Sequence, residues 1–134
     1  MKKPLLLFLI DDDLDDLMLF KDAINEIDAS IRVETATNGV EGLKKLSGGE
    51  LIGEPDYIFI DLNMPLMNGI QCLQEIKKMP AHSHIPIIIY STSSYEKDIL
   101  QTIKNGAFQY IVKPFSFQEL RERVSKVLTM KKDI

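Results

Sequence analysis

The sequence predicts an α/β domain in which a parallel five-stranded sheet is covered by helices on both faces. Two observations carry that expectation. Five short apolar runs suited to buried strands alternate with segments of helical periodicity, and three of the runs stop abruptly at charged residues. Acids or a lysine at the carboxyl end of buried strands mark the edge where open parallel sheets bind their ligands.

The first run, Leu5 to Ile10, ends at Asp11-Asp12-Asp13, and Leu14, Leu17, Met18, Ile24 and Ile27 then repeat at helical spacing. Ile31 to Ala36 gives the second strand, and Val40, Leu43 and Leu46 give the second helix. The stretch Ser47 to Pro55, with Gly48, Gly49 and Gly53, is the longest irregular connection and is expected to be a mobile loop. Tyr57 to Ile60 follows as the third strand and meets Asp61. Ile70, Leu73 and Ile76 form a helical stripe, and Ile85 to Tyr90 is the fourth strand. Ser93 with Glu96 reads as a capping box opening the fourth helix, which carries Ile99 and Ile103 and stops at Gly106. Phe108 to Val112 ends at Lys113-Pro114. A second capping box, Ser116 with Glu119, opens the last helix, marked by Phe117, Leu120, Val124, Val127 and Leu128. The tail Lys131 to Ile134 is expected to fray.

A chain of 134 residues fits one domain and can hide roughly two-thirds of its unfolded surface. It is read as a single unit over 1–134, with a core of about 4–129 and a short tail at 130–134. Sixteen basic against 20 acidic residues, a net charge of −4, argue against a general nucleic-acid-binding surface. The single cysteine, Cys72, cannot make an internal disulfide and reads as core filler in a reducing cytoplasm. Met1-Lys2-Lys3-Pro4 before Leu5 to Ile10 imitates a signal peptide, but the apolar run is too short and aspartates stand where small residues belong. No stretch approaches the roughly 18 apolar residues of a membrane span. The expected setting is the cytoplasm.

If the sheet sets strands one, three and five side by side, Asp11, Asp12, Asp61 and Lys113 converge. Neighbouring carboxylates repel unless a cation joins them, and a hard divalent ion such as Mg2+ prefers oxygen ligands and bridges to phosphoryl oxygens. Lys113 adds a point charge for a phosphate oxygen. Under these conditions an aspartate can itself become the nucleophile and form an acyl phosphate. Asp61 is the choice for that role, with the Asp11–Asp12 pair holding the metal. Ser91-Thr92-Ser93-Ser94 follows the fourth strand and offers a hydroxyl donor.

These residues resemble the receiver domain of two-component response regulators over about 4–129. The features that carry the resemblance are the acidic pair after the first strand, Asp61-Leu62-Asn63-Met64-Pro65 with Gly69, the Ser91-Thr92 pair, and Lys113-Pro114-Phe115. The resemblance implies a flavodoxin-like (βα)5 doubly wound sheet with strand order 2-1-3-4-5. It implies Asp61 as phosphoacceptor, Mg2+ held by Asp12, Asp61 and the Asn63 carbonyl, and Asp11 acting through water. Ser91 is then the switch hydroxyl, Tyr110 the aromatic switch, and the Lys113–Pro114 bond cis. Asn63 and Ser93 tune the acyl-phosphate lifetime; many relatives carry a longer acid or amide where Ser93 stands. Asn68-Gly69 departs from the common Asp-Gly, with asparagine tolerating the left-handed backbone such a turn uses.

By the same resemblance the chain is a stand-alone signalling unit that takes a phosphoryl group from a histidine kinase or phosphotransfer protein. It is expected to self-phosphorylate and dephosphorylate without turning over a separate substrate. Output passes to a protein at the surface of the fourth helix, fifth strand and fifth helix, near Tyr95, Tyr110 and Phe117, and a second copy of the chain, as a homodimer, is a further candidate partner. The Gly48 to Pro55 loop resembles that of receivers paired with phytochrome-type kinases.

Other readings weigh less. Asp13, Asp15 and Asp16 fit acids in the first turn of a helix, at the positive end of its dipole. A Ca2+-binding EF-hand lacks its central glycine. A haloacid-dehalogenase-type phosphatase wants Asp-x-Asp where this chain has Asp61-Leu62-Asn63, and a pseudo-receiver would not need every site residue. His82 and His84 are read as loop residues, since no further ligands stand nearby in sequence for a zinc site.

Overall fold

The computed structural model describes residues 3–130; the tail from Lys131 lies outside them. Along the chain run β1 (Leu6–Ile10), α1 (Leu14–Ile27), β2 (Arg32–Ala36), α2 (Gly39–Ser47) and β3 (Tyr57–Ile60). There follow α3 (Gly69–Lys77), β4 (Ile87–Ser91), α4 (Glu96–Lys104), β5 (Gln109–Val112) and α5 (Phe117–Thr129). The strands form one parallel sheet in the order β2-β1-β3-β4-β5. This is the flavodoxin-like order, and it corrects the side-by-side placement of strands one, three and five: β1 and β3 are neighbours, but β4 separates β3 from β5.

Alternation along each strand divides the core. Phe8, Ile10, Ile58, Ile60, Ile87 and Ile89 face α2 and α3, where Leu46, Cys72, Leu73 and Ile76 meet them. Cys72 is fully buried there, in keeping with its reading as core filler. Leu7, Leu9, Phe59, Ile88, Tyr90 and Ile111 face α1 and α5. Both faces of the three central strands are buried, which is why these runs read as continuous apolar stretches.

Two predicted helical stripes are corrected. On α1 the buried residues are Leu17, Phe20, Ala23 and Ile24, while Leu14 and Met18 are each 65% exposed. Phe20 is the anchor, packing edge-on against Phe59 at 4.9 Å between ring centroids. On α4 only Thr102 is buried, its hydroxyl satisfied by the Ile99 carbonyl at 2.8 Å, while Leu100 and Ile103 face outward.

The turn chemistry also differs in places. Ser116 caps α5 by accepting the Glu119 N–H. Ser93 does not cap α4, whose N-cap is Tyr95 without a side-chain bond. The reciprocal capping box belongs instead to Asn68 and Gln71 at the start of α3. Asn68 has φ −75°, so it is not left-handed; that conformation falls on Leu66, at φ 69°. Gly106 follows α4 at φ 103°, as a helix-terminating glycine does. The Ser47 to Pro55 connection is tied to β2 where Glu34 accepts the Ile52 N–H at 2.7 Å.

Gly69 is required by space. A Cβ there would stand 2.5 Å from the Asp61 carbonyl oxygen and 2.7 Å from Leu62 Cα, both backbone atoms that have nowhere to go. We expect Gly69→Ala to cost about 1–3 kcal/mol of stability, the usual price of overpacking. Urea unfolding measures it; a loss below about 0.5 kcal/mol would mean the backbone yields freely.

Candidate functional site

The ladder places the site residues one step beyond the strands. The Asp11 N–H donates to the Ala36 carbonyl, the Asp61 N–H to Ile10, and the Lys113 N–H to Ser91. Each functional side chain therefore springs from a backbone fixed by its neighbouring strand. Asp13, through its side chain, caps α1 by accepting the N–H groups of Asp15 and Asp16, and its own N–H donates to Asp11 Oδ1 at 3.0 Å.

Carboxylate oxygens of Asp11, Asp12 and Asp61 lie within 4.8 Å of one another. Asp11 is fully buried, Asp61 is 7% exposed and Asp12 faces solvent. Lys113 Nζ stands 2.6 Å from Asp16 Oδ2, 2.9 Å from Asp11 Oδ2 and 3.7 Å from Asp61 Oδ1. Its approach to Asp11 is an ion pair off the line a hydrogen bond needs, so Asp11 Oδ2 is buried without a hydrogen-bond donor. An under-bonded buried carboxylate oxygen beside two more carboxylates suits a hard divalent cation. The residues expected to hold Mg2+ thus fit such an ion.

The charges perturb one another. Burial pushes the Asp61 pKa up to about 7, with Asp11 and Asp12 adding to the rise while Lys113 and the Asn63 N–H oppose it. Asp11 is also raised by burial, against the Asp13 N–H and Lys113. Burial works against the Lys113 ammonium, yet hydrogen bonding to Asp16 and the closeness of Asp11 and Asp61 outweigh it and raise its pKa.

Ser91 is fully buried, and its Oγ accepts the Ser93 N–H at 3.2 Å. Thr92 is exposed. Ser93 joins four groups: beside Ser91, its Oγ donates to Asp98 at 2.6 Å and accepts the Tyr95 N–H, and its carbonyl accepts the Tyr110 hydroxyl at 2.8 Å. Tyr110 is half-buried. Asn63, exposed, lines a small cavity with Leu62, Asn68, Ile70 and Asp98. No peptide bond among the described residues is cis, so the expectation for Lys113–Pro114 is not met. Trans is the form X–Pro bonds favour by about 0.5–1 kcal/mol.

Two residues escaped the sequence reading. Asp16 was expected to serve only the helix dipole, yet it is the nearest partner of Lys113. Its signal was the four-residue step from Asp12, one helical turn. Asp98 carried no signal, because its role depends on the loop from Ser91 folding back onto α4.

A flavodoxin-like sheet thus carries three clustered carboxylates and a lysine along its carboxyl edge. The chain belongs to the response regulator receiver domain family, whose model matches residues 7–125. It is 32% identical over 133 residues to the probable C4-dicarboxylate response regulator DctR of Bacillus subtilis, covering 99% of this chain and 56% of that protein. The chain thus spans about half of that relative's length. The phosphorylated cyanobacterial phytochrome response regulator RcpA superposes with a TM-score of 0.84 at 29% identity, covering 92% of this chain and 91% of that one. The chemotaxis response regulator CheY4 of Vibrio cholerae shares the fold, with a TM-score of 0.79 at 24% identity and coverage of 92% and 98%.

With its pKa raised from 3.8 to about 7, Asp61 in the folded, metal-free protein keeps a proton that the unfolded chain has released. Its contribution to stability is then full below about pH 4 and is lost as pH rises through about 7. Wild type is expected to lose stability relative to Asp61→Asn between about pH 4 and pH 7. Urea midpoints in chelator measure the difference; one that does not change with pH would refute the shift.

Proposed function

We propose that this chain is a phosphoryl-accepting receiver in which Asp61 is the phosphoacceptor. The observation that carries the reading is the buried Asp61 carboxylate, set among Asp11, Asp12 and the Lys113 ammonium at the carboxyl edge of the sheet. Asp61 Oδ attacks the phosphorus of a phosphohistidine; the new O–P bond forms as the N–P bond breaks, and the freed imidazole nitrogen takes up a proton when solvent supplies one. Asp11, Asp12, Asp61 and the Asn63 carbonyl would hold Mg2+, which offsets the carboxylate and phosphoryl charge when bound. Lys113 pairs with one phosphoryl oxygen. The Ser91 hydroxyl, with the neighbouring Thr92, supplies a donor to another.

The switch follows from the hydrogen bonds already described. When Ser91 Oγ turns to the phosphoryl group it leaves the Ser93 N–H, and the Ser93 carbonyl that holds Tyr110 moves with it. The phosphoryl group biases two states through these differential contacts. Asn63 and Ser93 flank the path of the hydrolytic water and set the acyl-phosphate lifetime. Pro114 fixes the backbone behind Lys113.

The phosphoryl donor is a histidine kinase or phosphotransfer protein in the cytoplasm, and the unit signals through protein contacts. Exposed Tyr95, Leu100 and Ile103 on and before α4 give the face of α4, β5 and α5 an apolar surface for an output partner or a second copy. RcpA, solved in its phosphorylated form, supports the phosphoacceptor reading. The protein turns over no separate substrate.

Incubated with Mg2+ and acetyl phosphate, wild type is expected to gain one phosphoryl group by intact mass, and Asp61→Asn none. Wild type that takes up nothing, or Asp61→Asn that takes up as much, would defeat the assignment.

A further inference from the structure

Lys113 has three N–H donors and no acceptor. One is bound to Asp16 Oδ2 at 2.6 Å, a shorter contact than those with Asp11 and Asp61. Asp16 stands on α1, one turn after Asp12, and its side chain is 25% exposed, whereas that of Asp11 is fully buried. The lysine stem passes the Tyr90 ring, with Nζ 5.1 Å from its centroid, and Lys113 and Asp16 share a cavity wall with Leu19, Tyr90 and Leu120. Asp16 thereby holds the ammonium from the α1 side, while Nζ stays 2.9 Å from Asp11 Oδ2 and 3.7 Å from Asp61 Oδ1. Asp11 and Asp61 also belong to the carboxylate cluster that could hold a divalent cation.

We propose that Asp16 is a positioning residue for Lys113: it shares the ammonium with Asp11, so that Asp11 does not hold the lysine alone and can also serve the metal, with one N–H left for the phosphoryl oxygen on Asp61. The inference rests on the phosphoacceptor reading of Asp61. It makes Lys113 and the cation partners in the site rather than competitors for Asp11. Asp16 touches neither the metal nor the phosphoryl group.

The test uses the full chain with Asp16→Asn, Asp16→Ser and Asp16→Glu. Isothermal titration with Mg2+ alone is expected to show affinity about tenfold weaker in Asp16→Asn and Asp16→Ser, the scale of one lost charged hydrogen bond. The Mg2+ concentration for half-maximal phosphorylation by acetyl phosphate should rise by the same factor, and Asp16→Glu should recover most of both. A merely structural role would lower thermal stability without moving the Mg2+ dependence. If Asp16→Asn and Asp16→Ser bind Mg2+ as wild type does, the proposal is overturned. If wild type binds Mg2+ yet takes no phosphoryl group, the reading of Asp61 fails instead, and the titration still decides the part played by Asp16.

Discussion

Around the Lys113 ammonium stand three carboxylates at 2.6, 2.9 and 3.7 Å, and a fourth, Asp12, joins two of them in one cluster. One buried cation for several acids leaves the edge of the sheet short of positive charge. Burial first, and the neighbouring carboxylates after it, raise the pKa values of Asp61 and Asp11. A site so built is unfavourable in isolation and is tolerated because the parallel ladder fixes its backbone on both sides. The same imbalance makes it receptive to a divalent ion and a phosphoryl group together, since each supplies what the other lacks.

The strands and the strand-end residues were legible in the sequence because three buried apolar runs each end at a charge, at Asp11, Asp61 and Lys113. The helices were less legible. On α1, Leu14 and Met18 fit helical spacing as well as Phe20 does, yet they face solvent; spacing gives a period but not which face meets the sheet. On α4 the buried position is a threonine whose hydroxyl bonds within the helix, so the apolar pattern pointed outward. Asp16 hid in plain sight, since an acid in the first helical turn has a sufficient local reason to be there. Ser93 matched a cap motif, yet its hydroxyl accepts the Tyr95 N–H and donates to Asp98.

Ser93 gives the edge a route outward. Its three polar atoms link the buried Ser91, the start of α4 and the half-buried Tyr110. Any displacement of Ser91 must therefore be absorbed by a loop whose other end carries Tyr95, 76% exposed. Asp98 resists that displacement at the hydroxyl. The balance between the two pulls is set at the short Ser93 side chain.

The packing of α1 against α5 carries a consequence for how the chain is made. The two helices cover one face of the sheet, and Arg121 on α5 pairs with Glu26 on α1 at 3.2 Å. Leu7, Leu9, Phe59 and Ile88 on that face leave the ribosome well before Leu120, Val124 and Val127 arrive to close over them. During synthesis the molecule must hold a half-covered apolar sheet until α5 has emerged, the condition under which nascent domains recruit chaperones or associate with one another. The final helix thus acts as the seal on biogenesis: substitutions there should lower soluble yield in cells more steeply than their effect on the finished fold would suggest.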